Sequence, residues 1–133
     1  MQNIVDVIVS KVSAWNSVST YPHRFGGTEF RYGKPEIGHI HRNGITDIPF
    51  PVKISDELVK EKIALPHHIL PESGWISFYV KNDEDVKTAV LLFRLSYLRY
   101  AIKRDKNNFV YKEELEKMDL SEPIKKIYAK MFS

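Results

Sequence analysis

Residues 28–41 read Thr28-Glu29-Phe30-Arg31-Tyr32-Gly33-Lys34-Pro35-Glu36-Ile37-Gly38-His39-Ile40-His41, and their alternation decides the fold. Two alternating runs flank a Gly-Lys-Pro turn, which is the pattern of a β-hairpin. In the second run His39 and His41 stand two residues apart, so their rings leave the same face of the strand. Whether Glu29 shares that face depends on register, because a slip of one residue turns every side chain to the other side. Pairing of Tyr32 with Ile37, for instance, sets the histidines opposite Thr28 and Phe30.

Outward from the hairpin, turn-forming and titratable residues are concentrated in one stretch. All five histidines, all six glycines and six of the seven prolines lie between Tyr21 and Trp75, while both flanks read as helix. Glycine and proline set special turns and histidine brings ligand or acid–base capacity, so a site is expected in this middle stretch. Towards the N-terminus, Gly26-Gly27 lets the backbone turn sharply. Ser17 to Pro22 reads as a polar connection, and Asn3 to Trp15 places Ile4, Val7, Ile8, Val12 and Trp15 at helical spacing.

Towards the C-terminus, Ile45 to Phe50 predicts a short strand that Pro49 and Pro51 confine to a sheet edge or end there. Ser55 offers an N-cap, with Asp56 and Glu57 behind it and Leu58, Val59 and Ile63 as the apolar side of a helix that Pro66 must stop. Trp75-Ile76-Ser77-Phe78-Tyr79-Val80 is the strongest strand signal, rich in aromatic and β-branched side chains. Asn82, followed by Asp83, Glu84 and Asp85, caps the longest helix, which runs to about Arg104. One of its stripes is Val86, Ala89, Val90, Phe93, Tyr97 and Ala101, and a second is Leu91, Leu95, Leu98 and Ile102. Two stripes need two partners: the sheet for the first, the C-terminal helices or another subunit for the second. A polar break at Asp105 to Asn108 leads into a short helix over Tyr111 to Met118. Ser121 and Pro123 then start a last helix with Ile124, Ile127, Tyr128 and Met131 on one face.

This order predicts an α+β fold: an antiparallel sheet built on the hairpin, helices packed on one side, and a helical tail over residues 105–133. A chain of 133 residues with 43% apolar content forms one domain, residues 1–133. The net charge of +3 comes from basic residues scattered among acidic ones, so nucleic acid is permitted but not indicated. With no cysteine there is no disulfide, thiolate metal site or cysteine nucleophile, in keeping with a reducing cytoplasm. Asp6 and Lys11 interrupt the first apolar run, so neither a signal peptide nor a membrane span is expected there.

Two imidazoles on one strand face can meet one metal ion or one substrate. Further donors are His67 or His68 at the proline corner, Glu29 and His23. Nitrogen and oxygen ligands of this kind suit Zn, Fe or Mn, with His39, His41 and His68 as the metal set; a polar, cofactor-free sheet face is the alternative. Glu29 reads either as an acid or base, or as a carboxylate paired with Arg24, Arg31 or Arg42. Arg24 and Arg42 are candidates for holding a carboxylate substrate, joined by His23, His67 and Trp75. No Ser/His/Asp order, nucleophile elbow or dinucleotide fingerprint is present.

Glu36-Ile37-Gly38-His39-Ile40-His41, then Pro66-His67-His68, then Trp75-Ile76-Ser77-Phe78-Tyr79 with Asn82 and its acidic cluster, resemble the luciferase-domain family of fungal luciferases and small prokaryotic proteins. His23-Arg24-Phe25-Gly26-Gly27-Thr28-Glu29-Phe30 is similar to the opening of the prokaryotic members. The likeness covers about residues 15–100. It implies oxidation of an enolic or aromatic acid by O2 without a bound cofactor, with His39, His41 and His68 carried over and His41 as the base. What it implies is a shared fold and pocket, not light emission. The long helix after an aromatic strand is also similar to small cytoplasmic proteins of the MmcQ/YjbR type, whose fold has been compared with DNA-binding domains. The reading is therefore a cytoplasmic small-molecule enzyme or binding protein with a histidine-lined pocket, as monomer or homodimer. Its alternative is a protein or nucleic-acid interaction module using Arg94, Arg99, Lys103 and Arg104.

Overall fold

The hairpin over residues 28–41 forms, and four further strands extend it into one sheet. The computed structural model describes residues 3–132. In chain order it comprises α1 (Ile4–Ser13), β1 (Val18–His23), a tight 3-10 turn (Arg24–Gly26), β2 (Gly27–Tyr32), β3 (Glu36–Ile40), β4 (Ile45–Pro49), α2 (Val52–Lys60), β5 (Leu65–Pro66), β6 (Trp75–Tyr79), α3 (Asp83–Arg104), α4 (Phe109–Lys117) and α5 (Glu122–Met131). Every strand pair is antiparallel, in the order β1-β2-β3-β4-β6-β5. The expected α+β class is borne out.

Pairing register sorts the side chains into two faces. Phe30 stands opposite Gly38, and Ile48 opposite Ile76. Phe30, Ile40, Ile48 and Ile76 are fully buried on the face that α3 covers. Their neighbours one residue along, Glu29, His39, Asp47 and Ser77, point the other way. The close approach of α3 depends on Gly38. A Cβ there would stand 2.7 Å from Phe93 Cε1 and 3.1 Å from the Asp47 carbonyl oxygen, on a backbone with φ of +143°. Phe93 is fully buried and edge-on to Phe30, with ring centroids 5.1 Å apart, so it has nowhere to go. Gly38→Ala is therefore expected to destabilise by about 2–3 kcal/mol in urea unfolding. An unchanged midpoint would show that α3 can shift freely.

Two local expectations are corrected, and one alternative left open is decided. Ser17 to Pro22 is not a connection: Val18 to His23 forms β1, paired from Val18 with Tyr32 to His23 with Gly27. Its side chains are mostly exposed, as on an edge strand, so the apolar alternation that marks a half-buried strand is missing. Ile45 to Pro49 does not lie at an edge but sits between β3 and β6. Proline is tolerated because Pro49 is the last residue of the strand, the other outcome open at the sequence level. Ser55 is not an N-cap, since α2 already starts at Val52 behind Pro51. Its hydroxyl instead donates to the Gly74 carbonyl, tying α2 to the turn before β6.

The long helix agrees with its reading, including the Asn82 side chain accepting from the Asp85 amide. Leu92 is also fully buried, so the two stripes merge into an almost continuous buried surface. The tail closes over it within this one chain. Ile124 and Tyr128 are fully buried, and the Tyr128 hydroxyl donates to the Leu95 carbonyl at 2.8 Å.

Candidate functional site

The polar face of the sheet carries one row of directly paired residues across four strands. Glu29 on β2 faces His39 on β3, His39 faces Asp47 on β4, and Asp47 faces Ser77 on β6. The register left open by the sequence thus places Glu29 with the histidines. His41, just past the end of β3, keeps the same side as His39, as two-residue spacing requires.

Asp47 is the centre of the row, with its side chain 1% exposed. Its Oδ1 accepts from the Ser77 hydroxyl at 2.7 Å. Its Oδ2 lies 3.1 Å from His39 Nε2, 3.3 Å from His41 Nε2 and 3.4 Å from His68 Nε2. His67 Nε2 stands 3.7 Å from Oδ1. The proline corner after β5 aims the last two rings, which stack with centroids 4.5 Å apart. His67 is further fixed by the amides of Ile69 and Leu70, which donate to its Nδ1 at 3.1 and 3.0 Å. Its Nδ1 therefore carries no proton, and the ring N–H is on Nε2.

Two carboxylates hold the outer nitrogens of other rings. Glu36 Oε2 accepts from His39 Nδ1 at 2.6 Å, although residues three apart on a regular strand face opposite ways. A bulge resolves this: Phe30 pairs with Gly38 but Arg31 with Glu36, so Ile37 is the extra residue and Glu36 swings onto the polar face. Glu29 Oε1 meets His23 Nδ1 at 3.4 Å, while its Oε2 accepts from Arg31 Nε at 2.6 Å. His23 stacks on His39 with centroids 3.8 Å apart, and Trp75 closes the other side of His39 at 5.5 Å.

These contacts set the charges. Burial alone would lower the His39 pKa, but hydrogen bonds to Asp47 and Glu36 outweigh it and raise the value to about 9, so His39 is an imidazolium at neutral pH. Burial pushes the Asp47 carboxyl up, yet the bonds from His39 and Ser77 carry it well below the usual carboxylate range. His41 and His67 are both held below the ordinary histidine value, chiefly by burial. Burial raises the Glu29 pKa, and the bonds from Arg31 and His23 more than reverse that.

Of the residues singled out in the sequence, His23, Glu29, His39, His41, His67, His68 and Trp75 come together. Arg24 and Arg42 form no ion pair among the described residues, and Glu29 takes Arg31 as its partner. The Arg42 stem lies against Gly26, where a Cβ would stand 2.8 Å from Arg42 Cδ. Three members escaped the sequence reading: Asp47, Glu36 and Ser77. Asp47 had a signal, an acidic side chain inside the apolar run Ile45-Thr46-Asp47-Ile48, whereas Glu36 depends on a bulge that no local pattern announces. Two donor groups could hold a metal ion, His23 with His39 and His41, and Asp47 with His67 and His68.

Fold and site together define a small α+β protein with a cluster of imidazoles and carboxylates on the open face of an antiparallel sheet. Residues 34–96, from the hairpin turn to past the middle of α3, match the family model of the luciferase domain. The resemblance is therefore borne out for the stretch that carries Glu36, His39, His41, Asp47, His67, His68 and Trp75; His23 and Glu29 lie just ahead of it. No curated protein and no solved structure matches the chain. Among the described residues, no helix is long and apolar enough to cross a membrane.

Proposed function

We propose that this chain is a small-molecule enzyme that binds an enolic or aromatic acid at the histidine cluster, takes its proton, and presents the anion to O2. The observation that carries the reading is the convergence of three imidazole Nε2 atoms on one buried carboxylate oxygen. An ionised Asp47 can only accept, so the His41 proton sits on Nε2 and leaves the Nδ1 lone pair as the base. No partner holds that Nδ1 among the described residues. The His39 imidazolium supplies positive charge beside the anion as it forms.

The interaction-module alternative needs a free basic face on α3, and two of its four named residues, Arg94 and Arg104, are already committed. Arg94 makes a two-pronged ion pair with Glu114, at 2.5 and 2.7 Å, and lies over the rings of Trp15 and Tyr97. Arg104 donates to the Tyr32 carbonyl at 3.4 Å.

Oxygen uptake with a hydroxylated 2-pyrone and with a hydroxybenzoate as probes tests the reading. His41→Ala is expected to lower the rate about 100-fold or more while melting close to wild type. Wild-type protein that binds neither probe, or a His41→Ala variant that keeps the full rate, sinks it.

A further inference from the structure

The geometry points to a divalent transition-metal site at the same cluster, with Nε2 of His39, His41 and His68 and Oδ2 of Asp47 as its four ligands. Three features support it. The first is crowding. One carboxylate oxygen faces three ring nitrogens at 3.1–3.4 Å, two of them beyond the usual range of about 2.7–3.2 Å of an N–H···O bond. An oxygen with two lone pairs does not require three donors, whereas a shared ion would gather these atoms, drawn from the two donor groups, at one point. The second is the support behind the ligands. Glu36 holds His39 through Nδ1, the outer-shell bond that fixes a ligating imidazole with its lone pair on Nε2. Ser77 likewise fixes Asp47 through Oδ1, the oxygen that does not face the three ligand rings. The third is the donor set itself, three imidazoles and one carboxylate, which suits Zn, Fe or Mn.

Among the five histidines the same logic selects. His67 accepts two backbone N–H groups at Nδ1, so its Nε2 keeps a proton and cannot bind an ion as neutral imidazole. It serves instead as an N–H donor towards Asp47. His23 is turned towards Glu29 and stacks on His39 from outside, beyond the carboxylate that gathers the other rings. The ligands also come from three separate parts of the chain: β3 and the residue after it, the middle of β4, and the corner after β5. Such a set is assembled by folding and not by local sequence.

The inference deepens the proposed function and rests on it only for the ligand class. With an ion bound, His41 would be a ligand through Nε2 and would carry its proton on Nδ1, so the ion would supply the pull that ionises the enol and the enol proton would leave to solvent. Four protein ligands in a shell that expands to five or six leave room for the anionic oxygen of the substrate.

Tag-free, chelator-treated protein titrated with Co(II) or Zn(II) decides the matter, with calorimetry for stoichiometry and the visible Co(II) bands for the ligand set. One ion per chain is expected. His68→Ala is the deciding variant, because its ring is about a third exposed and its loss spares the core. It and Asp47→Asn should each weaken binding by about 100-fold or more, and Glu36→Gln by about 10- to 100-fold. His67→Ala and His23→Gln should bind as wild type. Wild-type protein that takes up no ion overturns the metal site while leaving the proton-acceptor role of His41 standing. Binding that survives His68→Ala but fails in His23→Gln also overturns it, by moving the ion to the other face of His39. Loading with Zn(II) should further tighten binding of the hydroxylated 2-pyrone. Equal affinity with and without the ion overturns the substrate-binding part of the proposal.

Discussion

Ending the chain at Asn107 is expected to abolish cooperative folding. That truncation removes α4 and α5 and with them Leu115, Ile124 and Tyr128, all buried. Burial of three such side chains contributes roughly 5–9 kcal/mol, which matches the whole stability of about 5–15 kcal/mol of an ordinary domain. The surface they leave is worse than bare. Leu95, Leu98 and Ile102 on α3 are buried in the full chain and would face water. The Leu95 carbonyl, which takes the Tyr128 hydroxyl, would lose that partner. The link from Ser121 Oγ to Glu61 Oε2, 2.6 Å, would also go, freeing the C-terminal end of α2. Thermal melting by circular dichroism checks the expectation. A truncated protein with the melting curve of the full chain would show that the tail is an appendage and that some other surface covers α3.

Asp47→Ala is expected to cost about 3–5 kcal/mol in chelator-treated protein, because removing one partner of a buried pair strands the other. The stranded group is the His39 imidazolium, left with Glu36 alone. The pH profile carries the signature. His39 has its folded pKa raised to about 9, above its unfolded value of about 6.5, so its contribution is fully present below about pH 6.5 and is lost as pH rises through about 9. Asp47 has its folded pKa depressed, so its contribution is present above about pH 4 and is lost as pH falls further. Wild-type stability should therefore be highest between these limits and fall on both sides. Both limbs draw on one interaction, so in Asp47→Ala the acid limb should lose the Asp47 part and the alkaline limb should flatten. Urea unfolding at pH 3, 5, 7 and 9 reads both limbs. A variant as stable as wild type, with the same slope from pH 7 to 9, would mean that His39 is not charged against Asp47.

The local sequence carried most of the elements. Periodicity of 2 in residues 28–41 and 75–79 and of about 3.6 in residues 83–104 is a direct imprint of which side chains meet water, so both the hairpin and α3 were legible. The strand β1 was not, because an edge strand with both sides largely solvated shows no such alternation. Its identity comes from backbone pairing with β2.

The site divides in the same way. His39 and His41 were legible as a pair because two-residue spacing on a strand is a local rule. His67 and His68 were legible as candidates because prolines restrict the corner that holds them. The central residue, Asp47, was not, since its meaning lies in neighbours on β3, on β6 and after β5 that only folding brings within 2.7–3.7 Å. Sequence by itself determined the kinds of element and the chemical types gathered in the middle of the chain, because those follow from local sterics and the exposure of single side chains. Tertiary structure decided the register that put Glu29 opposite His39, the bulge at Ile37 that brought Glu36 to the same face, and the choice of one buried carboxylate as the common partner. Each of these depends on contacts between residues far apart in sequence, which no local pattern encodes.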